Sequence, residues 1–139
     1  MNKIAYFYPK TDQSEMPLLT LPVSKDGISS MPINLEVRFI VEEQPAKYQF
    51  ELKLDGNTFL EKDKSLIPLK LDKTFNSGLP NDKIIGFSGV VIRFELEKIS
   101  ANDSAKFEIT LFNENGESLD HAETTLYFVE LMEDNNAKD

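Results

Sequence analysis

From residue 33 to residue 41 the chain puts Ile33, Leu35, Val37, Phe39 and Val41 on alternate positions and gives Asn34, Glu36, Arg38 and Ile40 the places between. Successive residues of a strand project to opposite faces, so this spacing leaves one face to bury and one that is mostly polar. A helix would scatter the same five apolar side chains around its circumference. Residues 33–41 are therefore extended chain with one buried face, and the rest of the sequence must supply a second layer to cover it.

The next run has the same period. Tyr48, Phe50, Leu52 and Leu54 alternate with Gln49, Glu51 and Lys53, after a five-residue connection that contains Pro45. This spacing predicts an antiparallel hairpin between the two runs. Asp55-Gly56 then signals a tight reversal, in which Gly supplies a positive φ, and a third strand over residues 58–60. A looser copy follows over residues 90–119. Val90, Ile92, Phe94 and Leu96 line one face, as do Phe107, Ile109 and Leu111, and Gly116 marks the turn. Val37-Arg38-Phe39 corresponds to Ile92-Arg93-Phe94, Ala46-Lys47-Tyr48 to Ala105-Lys106-Phe107, and Gly56 to Gly116. Two-layer β folds produce look-alike strand pairs without duplication, so the repeat is read as one of pattern.

A chain of 139 residues fits one domain with its own core, expected over residues 1–132 with a disordered polar tail at 133–139. With no Cys there is no disulfide framework, thiolate metal site or cysteine nucleophile, and a reducing compartment suits the chain. The net charge of −9 argues against nucleic acid, which needs clustered Lys and Arg. Lys3, Lys10 and Lys25 balance Asp12, Glu15 and Asp26, so the whole excess lies beyond residue 31 and reads as solvated outer strand faces. No apolar run approaches the ~20 residues of a membrane span, and the first residues are too short for a secretory h-region. The expected location is cytoplasmic.

Taken in order, residues 4–8 form a short first strand. The connection over 9–32 is broken by Pro9, Pro17, Pro22 and Pro32 yet carries Leu18, Leu19, Leu21 and Val23. Its leucines either cap an open end of the core or add an edge strand, or they contact a partner. Residues 66–71 suggest an edge strand, limited by Pro68, and 72–83 an irregular loop around Phe75. Gly86 and Gly89 point to a bulge or a close backbone approach. The last strand is expected over about 124–131, with Leu126 and Phe128 on one face and Tyr127, Val129 and Leu131 on the other. Leu18, Leu19, Leu21 and Phe75 are the candidate partner contacts.

Signals for chemistry are few. His121 is the single imidazole, and Ser118 and Asp120 beside it do not form a triad, because neighbouring strand residues point apart. Two-carboxylate glycoside hydrolysis needs a cleft that so small a domain seldom builds. The EF-hand pattern fails at both Gly56 and Gly116. A looser calcium site would draw on Asp55, Asn57 and Asp63, or on Asn113, Asn115 and Asp120, although turn chemistry alone explains those residues. No Gly-rich phosphate loop precedes a helix. Asn102-Asp103-Ser104 matches a glycosylation acceptor, a short pattern common by chance. Arg38 and Arg93, the only arginines, sit mid-strand on the polar face, where flanking Glu36 and Glu95 are the expected ion-pair partners over an anion-binding patch.

The runs MPINLEVRFIVEEQPAKYQFELKLDGN and AKFEITLFNENGESL resemble small bacterial β-sandwich domains. The resemblance implies a two-sheet, immunoglobulin- or C2-like fold and transfers no functional site. The expectation is an all-β, antiparallel two-layer sandwich of seven to nine strands, without cofactor or catalysis. It would bind a protein partner through loops or an exposed strand, with a homodimer as one form of this. Calcium or carbohydrate binding is the alternative.

Overall fold

The computed structural model describes residues 2–42, 48–60, 73–76 and 84–131. They form nine strands: β1 (Lys3–Lys10), β2 (Thr20–Val23), β3 (Ile28–Glu42), β4 (Tyr48–Leu54), β5 (Asn57–Leu60), β6 (Lys73–Asn76), β7 (Ile84–Ile99), β8 (Ser104–Asn113) and β9 (Ser118–Glu130). One sheet has the order β1-β3-β7-β6 and the other β2-β9-β8-β4-β5. The expected all-β sandwich is thus the observed architecture. Its order is the immunoglobulin arrangement, a four-stranded sheet laid on one built around the β4–β8–β9 trio. Six of the strand pairs are antiparallel, and β2 runs parallel to β9.

The core follows from the alternation. Ile33, Leu35, Val37, Phe39 and Val41 of β3 are fully buried, and so are Leu52, Phe107, Ile109, Leu111 and Leu126 from the opposing sheet. Burying a side chain of this size stabilises the fold by about 1.5–3 kcal/mol. Aromatic rings tie the layers together: Phe39 meets Phe50 with ring centroids 5.9 Å apart, and Phe94 meets Phe107 edge-on at 5.5 Å. At the entry to β3, Gly27 has φ +80°, and a Cβ there would fall 2.6 Å from the Ile99 carbonyl oxygen, so glycine is required. Asp55 and Gly56 both have positive φ, as the two-residue β4–β5 turn demands.

The two sequence copies take the same path, but that path is not a hairpin followed by a third strand. β3 and β4 lie in opposite sheets, and β7 and β8 are divided in the same way. Alternation states that a strand has a buried face. It does not state whether the next strand lies beside that face or across from it. Equivalent strands then pair with each other, β3 with β7 and β4 with β8. The residues that the copies equate, Glu36 with Val91 and Glu51 with Thr110, stand directly opposite one another. An approximate two-fold axis through both sheets therefore relates β3-β4-β5 to β7-β8-β9. β2 breaks this symmetry by extending the second sheet beyond β9.

Other boundaries also move. The loop expected over 72–83 contains β6, β3 begins at Ile28, and β9 begins at Ser118. The β3–β7 register runs unbroken past Gly86 and Gly89, so no bulge occurs there. Gly89 instead gives room to the Arg38 side chain, whose Cδ, Nε and Cζ would lie 3.4 Å from a Cβ at that position. The register shifts fall between Ile4 and Tyr6, Leu52 and Lys53, and Leu111 and Phe112. The strand expected at 66–71 and the tail at 133–139 lie outside the described residues.

Candidate functional site

The outer face of each sheet carries side chains that its sequence period assigns to solvent, and the two faces treat them differently. On the β1–β3–β7 face, Asn34 and Glu36 occupy outward positions of β3 yet are only 8 % and 6 % exposed. Lys10, at the end of β1, brings its Nζ 2.7 Å from Glu36 Oε2 and 3.0 Å from Glu15 Oε2. Among the described residues, the Lys10 ammonium is what answers the buried Oε2. Arg38 donates to the other oxygen of Glu36 from Nε and Nη2, both at 3.3 Å. Nearer the start of β3, Asn34 Nδ2 donates to Asp12 Oδ1 at 2.6 Å, and Arg93 Nη1 pairs with Asp12 Oδ2.

These contacts set the charges. Burial pushes the Glu36 carboxyl up, but Lys10 and then Arg38 outweigh it and hold the group below its ordinary value. Hydrogen bonds from Asn34 and Arg93 hold Asp12 low. Glu36 and then Glu15 push the Lys10 ammonium up. Arg38 thus has the expected flanking partner in Glu36, whereas Arg93 pairs with Asp12 from the β1–β2 connection. Sequence spacing along one strand cannot show a partner that arrives from another segment.

The β2–β9 end of the other sheet is built in the opposite way. Tyr127 N–H donates to the Leu19 carbonyl at 3.1 Å and Leu131 N–H to the Val23 carbonyl at 2.7 Å, which holds β2 against β9. The pairing buries Leu21 and Val23 in the core. Alternation then sends the outer face of β9 to solvent: Tyr127, Val129 and Leu131 are 57 %, 47 % and 57 % exposed. Because the residues flanking Thr20 and Pro22 bond toward β9, the backbone of Thr20 and Pro22 faces the open edge. Pro22 brings no N–H there, which limits strand addition. The side-chain face is what this end offers.

Of the nominated contact residues, Leu21 lies in the core, Leu18 is half-buried against it, and Leu19 is exposed. Phe75 lies in β6, opposite Ile85, far from the others in strand order. The sequence pattern does not single out Tyr127, Val129 and Leu131 as contacts, although both faces of the last strand are visibly apolar. That doubling was the signal.

Three of the Asx side chains considered for calcium are engaged with backbone. Asp55 Oδ1 accepts from Lys106 N–H at 2.9 Å, Asn113 Oδ1 from Asn115 and Glu117 N–H at 2.9 Å each, and Asp120 Oδ2 from Ile4 N–H at 2.8 Å. The last of these ties β9 to β1 across the two sheets. Asn57 is exposed in β5, and Asp63 lies outside the described residues. Among the described residues, no cluster of three or more His, Cys, Asp or Glu could hold a metal ion. His121 is on the exposed face, with Nδ1 3.0 Å from Thr110 Oγ1. Among the described residues no helix is long and apolar enough to cross a membrane.

No protein-family model and no curated protein matches the chain. Among solved structures it is similar to a Niemann-Pick type C2 protein from Japanese carpenter ant, with 12 % identity over 91 % of this chain and 92 % of that one and a TM-score of 0.43.

Proposed function

We propose that the chain is a non-catalytic, cytoplasmic interaction module that docks a protein partner on the outer face of β9. The observation that carries this reading is the row of Tyr127, Val129 and Leu131, apolar and exposed on a hydrogen-bonded sheet. Contiguous apolar surface on a rigid element gains free energy when a partner removes it from water, at about 25 cal/mol per Å². Aromatic anchors such as Tyr127 are enriched at the centres of such contacts. The net charge of −9 makes nucleic acid a poor partner, and the absence of Cys suits a reducing compartment. Support for a non-catalytic role comes from the place of His121, the single imidazole, on an exposed strand face.

A photo-crosslinking residue placed at 127 or 129 tests this in the native cell, with position 53 on the same sheet as the comparison. The reading expects a discrete adduct from 127 and 129 and none from 53. Equal labelling from all three positions, or none from any, would falsify it. Light scattering of the purified chain then distinguishes a second copy of the same chain from a different protein.

A further inference from the structure

We infer that residues 11–17 form a strap closed over the outer face of the first sheet by ionic contacts, and that its opening uncovers Asn34 and releases Arg93 from Asp12. The inference does not depend on the docking face of β9.

Both ends of the strap are fixed. Pro9 and Lys10 are buried at the end of β1, and Leu18 N–H donates to the Pro9 carbonyl at 2.8 Å just before β2 begins. Between them, Asp12, Gln13, Ser14, Glu15, Met16 and Pro17 are all exposed, so no apolar side chain of this stretch anchors it. Its own hydrogen bonds are local: Ser14 N–H to the Thr11 carbonyl at 3.4 Å, and Met16 N–H to Ser14 Oγ at 3.1 Å. A cavity of about 140 Å³, lined by Thr11, Asp12, Gln13, Met31 and Pro32, separates the strap from the start of β3.

What holds it is polar. Asp12 takes Asn34 and Arg93 with its two oxygens, and Glu15 takes Lys10. The strap supplies the anions and the sheet supplies the cations and the amide. The Asp12 and Arg93 side chains are each about half exposed, so salt reaches the contact. Opening would present Arg93 and Asn34 on a chain whose net charge is negative.

Hydrogen exchange of the amides of residues 12–16, read by mass spectrometry on the full chain, tests the strap. Asp12→Asn removes one charge-assisted contact and should speed exchange about tenfold. In the wild-type chain, raising salt to about 1 M, where screening acts over ~3 Å, should produce most of the same increase. Salt should add little in Asp12→Asn. Arg93→Gln should match Asp12→Asn, with the double variant no faster than either. The peptide covering β8 serves as the folding control and should not change. Exchange of 12–16 that is the same in Asp12→Asn and wild type, or that salt leaves unaltered in wild type, overturns the inference. So does exchange already at the free-peptide rate in wild type at low salt.

Discussion

The outer face at β3 and the outer face at β9 begin from the same rule and end differently. In β3 the period sends Asn34, Glu36 and Arg38 outward. Lys10 and the β1–β2 connection then arrive on top, so two of those polar residues are buried and paired. In β9 the period sends Tyr127, Val129 and Leu131 outward, and among the described residues nothing covers them. Polar groups taken from water need partners and have them, whereas apolar groups left in water need none within the fold and remain available to another molecule. The first face is consequently structural and the second is the better candidate for recognition.

The largest effect should come from setting the two faces of β9 against each other. Leu126→Ala empties a fully buried site and should cost about 2–5 kcal/mol in urea unfolding. Its neighbour Tyr127→Ser should change stability by no more than about 0.5 kcal/mol while abolishing the crosslinked adduct from 129. A comparable loss of stability from both would break the distinction between the faces.

Next comes the buried pair. Lys10→Met leaves Glu36 Oε2 buried beside no ammonium, and the thermal midpoint should fall. Adding Glu36→Met should recover much of the loss, because an apolar pair needs no solvation. If the double variant is less stable than Lys10→Met alone, the face depends on charge in itself.

A smaller effect appears with pH. Glu36 and Asp12 titrate below their ordinary values of 4.5 and 3.8 in the folded chain, so each contributes stability that is fully present above those values. That contribution is lost as pH falls through the lower folded values. Thermal midpoints from pH 6 down to pH 2 should drop, and Glu36→Gln should flatten the curve. A profile identical to wild type would remove Glu36 from the account. Smallest of all is Lys106→Gln. The exposed Lys106 ammonium is held up by Glu108 and Glu123, and losing this surface cluster should leave the midpoint unresolved from wild type.

Much of the fold was legible. Alternation in β3, β4, β7 and β8 named the inward residues correctly, and Gly56 and Gly116 marked real turns with positive φ. The hairpin between β3 and β4 was misread, because a five-residue connection is long enough either to reverse within a sheet or to pass between layers. β2 was foreseen only as one fate for the leucines at 18–21, since its partner lies more than a hundred residues away and its pairing is parallel. The candidate site was legible in half. The doubled apolar pattern of β9 was plain, but which of its faces stays in water depended on which side of its sheet met the other layer.

The amino-acid order by itself determined that these segments are extended and which side of each strand must be buried, since a period of two is a local property of the backbone. Tertiary structure alone decided which strand neighbours which, that Asn34 and Glu36 are covered despite pointing outward, and that Tyr127, Val129 and Leu131 are not. Those outcomes depend on segments distant in the chain meeting in space. No local pattern encodes that meeting, because pairing register and coverage are set by the packing of the whole sandwich.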